Sequence, residues 1–309
     1  MVGAIIGDIV GSPYEGSHMN WVDDKNFPLF AKQWSRFTDD TVLTCATADA
    51  ILHPAYEETS WKNVFEAWPD FSLRYLQWAN SYPKRGYGSG FQEWVNSGEI
   101  GIKKSYANGC MMRCSPIALY YETLDTANRM ALKSIAATHA SPEAARGVQS
   151  IVSAIHMALH GHTKLQIQAY VEENFGHMLD LTVEQWRIHP KPNIRCNITA
   201  PQSLVCFEQW RIHPKPNIRC NITAPQSLVC FMESADYESA IRNAVYTKGD
   251  TDTIAAIAGS IAEAYYGVRS IPQFAIDEMK TRISPEMIDI INEFYQAIGG
   301  LEAYKGFQI

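Results

Sequence analysis

Asp250-Thr251-Asp252-Thr253 runs directly into IAAIAGSIAEAYYG, residues 254–267, and this junction decides how the chain is read. The segment after it is apolar, rich in small residues and long enough for several helical turns, so it reads as a buried helix. The acidic string then reads as that helix's N-terminus, where carboxylates and hydroxyls are favoured. A second junction of the same kind lies far upstream. Thr38-Asp39-Asp40-Thr41 precedes VLTCATADAIL, residues 42–52, which also reads as a buried helix. One such string is explained by capping alone. Two in one chain suggest a shared site, and their oxygen ligands suit a hard cation such as Mg2+. Successive helical residues point about 100° apart, so Asp250 and Asp252 converge on one ion only if the first lies outside the helix, at the cap. The same holds for Thr38, Asp39 and Asp40.

Composition narrows the classes. The chain has 309 residues and 46% hydrophobic content, enough for a sizeable core. No Ser/Gly-rich linker divides it, so residues 1–309 read as a single domain. The net charge of −7, with no Lys/Arg run, gives no support for nucleic acid as a partner. The opening MVGAIIGDIVGSPYEGS lacks a basic start and carries Asp8 inside its apolar stretch, so it is not a secretory signal. No apolar run is long enough to cross a membrane. The seven cysteines, Cys45, Cys110, Cys114, Cys196, Cys206, Cys220 and Cys230, are odd in number and form no CxxC pair. Free thiols in a reducing, cytoplasmic setting are expected.

Helical signals dominate the remainder. Ser141-Pro142-Glu143 is a strong start, with Val148, Ile151, Val152, Ile155 and Leu159 at helical spacing behind it. Asp236 caps a further helix through Val245, with Gly249 beyond its end. Asp70 opens another, with Phe71, Tyr75 and Trp78 on one face. Strand-like alternation is scarce, and the expected fold class is all-α, many packed helices in one domain.

Residues 184–207, EQWRIHPKPNIRCNITAPQSLVCF, recur without change as residues 208–231. Each copy holds a Pro-rich loop and then a helix, expected to be capped by Thr199 or Thr223. Only the second copy runs straight into the Asp236 helix. It is expected in the core, with the first copy as an extra surface excursion.

Two small, flexible segments interleave glycine with tyrosine: Gly86-Tyr87-Gly88-Ser89-Gly90 and Ser105-Tyr106-Ala107-Asn108-Gly109. Such loops let backbone N–H groups approach a phosphate, and a tyrosine can stack on a base or ribose; ordinary turns explain them equally well. Glu15, after the first apolar helix, reads as a solvated loop acid or a further oxygen ligand. His139 precedes the Ser141 cap and could meet a ligand there. There is no HExxH, GxGxxG, P-loop lysine or G-x-S-x-G.

Taken in order, GAIIGDIVGSPYEG, FTDDT, GYG, SYANGCMMRCSPIA, THASPEA and KGDTDTIAAIAGSIAEAYYG resemble the ADP-ribosylglycohydrolases, in the bacterial branch related to the dinitrogenase-reductase-activating glycohydrolase. The resemblance covers most of residues 1–267. It implies a compact multi-helix orthogonal bundle with a two-Mg2+ centre that binds ADP-ribose. By the same resemblance Thr38, Asp39 and Asp40 supply one side of the centre. Asp250, Asp252 and Thr253 supply the other, with Asp252 bridging the ions. Glu15, Asp39 and Asp252 become the candidate catalytic acids. Gly86, Tyr87, Gly88, Ser105, Tyr106, Asn108, Gly109 and His139 fall in ligand-contacting segments. The implied activity is Mg2+-dependent hydrolysis of the glycosidic bond between ADP-ribose and an acceptor, a protein side chain or a small conjugate. The competing readings are an ADP-ribose-binding relative without turnover, a structural relative of the same fold, and another metal-dependent hydrolase. The last would ordinarily show His-Asp ligand pairs, and no such dipeptide occurs. The family usually has Gly-Gly-Asp where this chain has Lys248-Gly249-Asp250, which sets a cation beside the ligand string.

Overall fold

Two antiparallel helices at the centre of the molecule set the positions of everything else. The computed structural model describes residues 1–15, 21–31, 33–54, 70–98, 104–188 and 218–309. Helix α1 is Val2–Gly11, buried at every position. It lies against Thr251–Tyr266, the apolar segment after the second acidic string, which is buried from Thr251 through Ala264. The contact is unusually close because α1 carries Gly3, Gly7 and Gly11 at every fourth position, one stripe of the helix surface. A Cβ placed on Gly3 would fall 2.5 Å from the Gly259 carbonyl oxygen, and one on Gly7 2.5 Å from the Ala255 carbonyl carbon. Gly11 meets Thr251 and Asp252 in the same way. Backbone therefore packs on backbone along the whole contact. The pairing order, Gly3 with Gly259 and Gly11 with Thr251, makes the helices antiparallel. It brings the end of α1 to the start of the second helix. At the opposite end Glu263 is fully buried and accepts from the Gly3 N–H (2.7 Å), the Met1 ammonium (2.7 Å) and the Tyr295 hydroxyl (2.6 Å). That satisfies a carboxylate which would otherwise be costly to bury.

The other helices surround this pair. In chain order they are α2 Asp39–Leu52, α3 Phe71–Ser81, α4 Ser89–Ser97, α5 Ser115–Tyr120, α6 Leu124–Ile135, α7 Pro142–Leu159, α8 Lys164–Phe175 and α9 Val183–Ile188. After residue 217 come α10 Cys220–Met232, α11 Tyr237–Tyr246, the central α12 Thr251–Tyr266, α13 Gln273–Lys280 and α14 Pro285–Ala297. No strand occurs among the described residues, only the isolated bridge between Ala107 and Arg219. The fold is all-α, as expected. The expected caps are in place: Asp70 accepts from the Leu73 N–H, Ser141 from Ala144, and Asp236 from Ser239. Each fully buried Ile on α12, such as Ile257 and Ile261, contributes roughly 1.5–3 kcal/mol of transfer free energy.

The repeated segment differs in detail from its expected form. Cys220–Phe231 of the second copy lies in α10 and is buried except at Asn221, but Thr223 is not its cap. The helix starts four residues earlier than a Thr223 cap implies, with Arg219 as N-cap. The Ala107–Arg219 bridge and the bond from the Asn108 N–H to the Ile218 carbonyl (2.7 Å) dock the chain there and start the helix sooner. Thr223 Oγ1 accepts instead from Asn108 (3.1 Å). The opening of the first copy lies on α9, where Glu184 and Gln185 are exposed and Trp186 is buried. Residues 189–217, including Thr199 and most of the first copy, lie outside the described residues. Among the described residues no helix is long and apolar enough to cross a membrane.

Candidate metal centre

The antiparallel contact delivers the acidic groups to one place. Asp250 is the N-cap residue of α12, and its carboxylate makes no capping bond. It accepts instead from Asn108 and lies on the site side with Asp252. Glu15 follows a single 3-10 turn, Ser12–Tyr14, after α1. Ligand oxygens of Glu15, Asp250 and Asp252 all lie within 4.8 Å of one another. Glu15 is the exposed member of this trio; the two aspartates are buried.

The first string joins from α2. Thr38 is its N-cap residue, accepting from the Asp40 N–H at 3.3 Å. Its orientation is set by Asp8, an acid the sequence reading left without a role. Asp8 Oδ2 accepts from the Thr38 N–H (2.9 Å) and the Thr41 N–H (3.0 Å); the Thr38 and Thr41 hydroxyls also donate to its carboxylate. One buried carboxylate on α1 thus clamps the start of α2. The two strings meet where Thr253 Oγ1 reaches Asp40 Oδ1 at 3.4 Å. Asp40 is buried, and its Oδ2 has no hydrogen-bond partner. An orphaned buried carboxylate oxygen is costly unless a cation or proton meets it.

The electrostatics repeat that point. Loss of solvent, followed by the charge of neighbouring acids, pushes Asp39, Asp40 and Asp252 well above the usual carboxylate range. Asp8 and Asp250 are also raised, chiefly by burial and against the pull of their hydrogen bonds. Glu15 is pushed up to about 7 by restricted solvation, then by Asp250 and Asp8. Acids so arranged hold either protons or a cation. The donor set is oxygen throughout, which fits a hard divalent ion.

The remaining sequence candidates fall into two groups. The Gly86 loop abuts the first string: Asp39 N–H donates to the Arg85 carbonyl at 2.8 Å, and a Cβ on Gly86 would lie 3.1 Å from Asp39 Oδ1. Gly86 has φ +101°, a conformation that suits glycine. Tyr87 lies near enough for Asp39 to help raise its hydroxyl pKa, after burial. Gly88 has open space at its Cβ position. On the other side Asn108 is buried and donates through Nδ2 to both Asp250 and Thr223. Gly109 packs beside the His139 ring, and the Ser105 carbonyl accepts from the Ser141 hydroxyl (2.6 Å). Tyr106 is 46% exposed, with the Arg219 guanidinium over its ring.

Lys248 does not turn toward the acids. Its ammonium sits 4.6 Å from the centre of the Trp21 ring. Its φ is +68°, a left-handed conformation that strains a side chain and suits the glycine expected there.

Asp8, Thr41 and Thr223 are the functional supports that sequence reading missed. An acid inside an apolar helix was the available sign for Asp8. The fourfold glycine spacing was the sign for the helix contact. Thr223 had none, since its partner is distant in sequence.

An all-α fold that gathers buried carboxylates beside glycine loops offers a hard cation an oxygen-lined site. The comparisons with known proteins make it particular. Residues 1–302 match the family model for ADP-ribosylglycohydrolase, and the chain belongs to that family. It is 27% identical to the mouse ADP-ribosylhydrolase ARH3 (Mus musculus), covering 88% of this chain and 84% of that one. The human ARH3 (Homo sapiens) is 26% identical, with 88% and 86% covered. An ADP-ribosylarginine hydrolase, Tri1, of Pseudomonas putida (strain GB-1) is 24% identical, with 88% and 71% covered. A solved structure described as an ADP-ribosylglycohydrolase-related protein complex superposes with a TM-score of 0.60 at 21% identity, covering 98% of this chain and 95% of that one, and so shares the fold. The chain is a hydrolase of ADP-ribose glycosidic bonds.

Proposed function

We propose that the chain releases ADP-ribose from an ADP-ribosylated protein side chain or a small ADP-ribose conjugate, with two Mg2+ ions held by the acidic strings. The observation that carries this reading is the buried, unpartnered Asp40 Oδ2, with Thr253 at its other oxygen and Asp250 and Asp252 near enough to interact with its charge. Thr38, Asp39 and Asp40 would hold the ions from the α2 side, and Asp250, Asp252 and Thr253 from the α12 side. Bound there, Mg2+ supplies Lewis acidity toward the ribose oxygens and the attacking water.

The protein's own groups do the rest. Asp8 keeps Thr38 and Thr41 in place, so the first string presents its carboxylates without rearrangement. Asn108 holds Asp250 from behind. Glu15 stands at the exposed edge of the cluster and takes a proton from the water that attacks the ribose carbon; the bond from that carbon to the acceptor breaks, and the proton passes on to the departing acceptor. The Gly86–Gly88 and Ser105–Gly109 segments line the approach and contact the nucleotide. The proposed setting is the cytoplasm.

The test is release of free ADP-ribose from a panel of substrates: arginine-linked and serine-linked ADP-ribosylated protein and O-acetyl-ADP-ribose. Turnover of at least one in Mg2+, lost in Asp252→Asn, is the expected result. Tight ADP-ribose binding without turnover of any would identify a binding relative.

A further inference from the structure

Arg113 presents a puzzle that the proposed reaction leaves unused. Its guanidinium is 1% exposed, and Nε and Nη1 have no hydrogen-bond partner. No ion pair reaches it among the described residues. It rests on the Tyr75 ring at 4.1 Å. Its one short hydrogen bond runs from Nη2 to Thr138 Oγ1, 2.8 Å, with the Ser134 carbonyl at 3.5 Å. A buried cation so poorly compensated is costly. Thr138 Oγ1 is in turn 2.9 Å from His139 Nδ1.

We infer that Arg113 and Thr138 are positioning residues that fix His139 as a neutral imidazole with its proton on Nε2, turned toward the Asn108–Gly109 segment as a permanent donor to a ligand oxygen. The inference deepens the reading above and rests on it for the identity of that ligand.

Proton counting carries the argument. A guanidinium only donates, so Thr138 Oγ1 accepts from Arg113. The hydroxyl's single proton then needs an acceptor, and His139 Nδ1 is the one within reach. Nδ1 is therefore the unprotonated nitrogen, and the ring proton sits on Nε2. The opposite arrangement, Nδ1–H donating to Oγ1, leaves the hydroxyl proton buried without an acceptor. Double protonation is disfavoured as well: burial, then the Arg113 charge, holds the His139 pKa down at about 3.

The Nε2 edge of the ring faces Gly109, where even an added Cβ would lie at an ordinary contact distance of 3.5 Å. No protein acceptor among the described residues takes the Nε2 proton. Asn108, the preceding residue, is bonded to Asp250, so the imidazole edge and the acids flank the same segment. A fixed N–H donor donates to hydroxyl, ether or phosphate oxygens and disfavours a ligand ammonium, which has only donors. A ring free to change tautomer would not discriminate in that way.

The experiment uses the full chain with 15N-labelled histidine, read by long-range proton–nitrogen correlation at pH 7, with His139→Gln to assign the signals. In the wild type, Nδ1 is expected at an acceptor shift and Nε2 at a protonated one. Thr138→Val removes the hydroxyl, and both shifts move toward tautomer-averaged values. Calorimetric ADP-ribose affinity in Mg2+ then weakens about tenfold, the worth of one hydrogen bond. Thr138→Ser keeps the hydroxyl and restores both readouts. A wild-type ring protonated on Nδ1, or on both nitrogens, overturns the inference whatever the variants do. So does Thr138→Val with unchanged shifts and affinity. A wild type with the expected tautomer but no ADP-ribose binding supports the relay and overturns the ligand reading, so the two failures are distinguishable.

Discussion

Replacing Gly7 by alanine tests the framework that assembles the site. A Cβ there lies 2.5 Å from the Ala255 carbonyl carbon and 2.8 Å from the Ala256 nitrogen, both backbone atoms. No side chain can rotate aside, so the helices must separate by about 1 Å to reach ordinary contact. Overpacking of this rigid kind sits near the upper end of its usual cost, about 3 kcal/mol. Alanine returns about 1 kcal/mol through its higher helix propensity. The net loss is about 2 kcal/mol, or roughly 3 °C in Tm for a chain this long. The same shift moves Asp8 and Glu15 relative to Asp252, and a 1 Å misplacement of reacting groups costs about hundredfold in rate. Gly90→Ala is the control: Gly90 lies in α4 with nothing within 4 Å of its Cβ position, so the same substitution gains up to about 1 kcal/mol. Thermal unfolding and ADP-ribose release, measured on both variants, decide the matter. Gly7→Ala with wild-type Tm and wild-type turnover would refute the close antiparallel contact and its role in placing the acids.

Further outcomes follow from the site's charge. Asp40→Asn removes a crowded buried carboxylate, so Tm in EDTA rises by a few degrees while the Tm gain from Mg2+ shrinks and hydrolysis falls at least a hundredfold; unfolding in both buffers checks this. Glu15, with a folded pKa raised from 4.5 to about 7, contributes stability that is present below pH 4.5 and lost as pH rises through 7. The buried aspartates, raised in the same direction, lose stability with rising pH too. The Tm gain from Mg2+ is therefore expected to be larger at pH 8 than at pH 5. Histidines held neutral by burial, such as His177 with its pKa near 4, act equally with and without Mg2+ and cancel in the difference. Asn108→Ala leaves Asp250 and Thr223 without their donor and is expected to cost about 1–3 kcal/mol, read as a lower Tm and weaker Mg2+ binding.

Much of this architecture was legible because it rests on local signals. Ser141-Pro142, Asp70 and Asp236 announce helix starts by capping chemistry that needs no distant partner. The two acidic strings could be placed at caps because convergence on one ion demanded it, and Asp250 is indeed an N-cap residue whose carboxylate makes no capping bond. Long-range pairings were hidden. Asp8 gains its meaning only when α2 reaches it, and Thr223 only when Asn108 does. Thr223 was misread as a cap because its residue type favours capping; docking of Ile218 and Arg219 onto Tyr106–Asn108 started the helix earlier. Lys248 gave a charge to reason from, whereas its left-handed backbone and its contact with Trp21 appear only in three dimensions.

The most direct test is hydrolysis of ADP-ribosylated substrates by the purified chain in Mg2+, in EDTA, and in EDTA with Mg2+ restored. The account predicts ADP-ribose release in the first, none in the second, and recovery in the third. Undiminished release in EDTA would contradict the metal centre assigned to the two acidic strings.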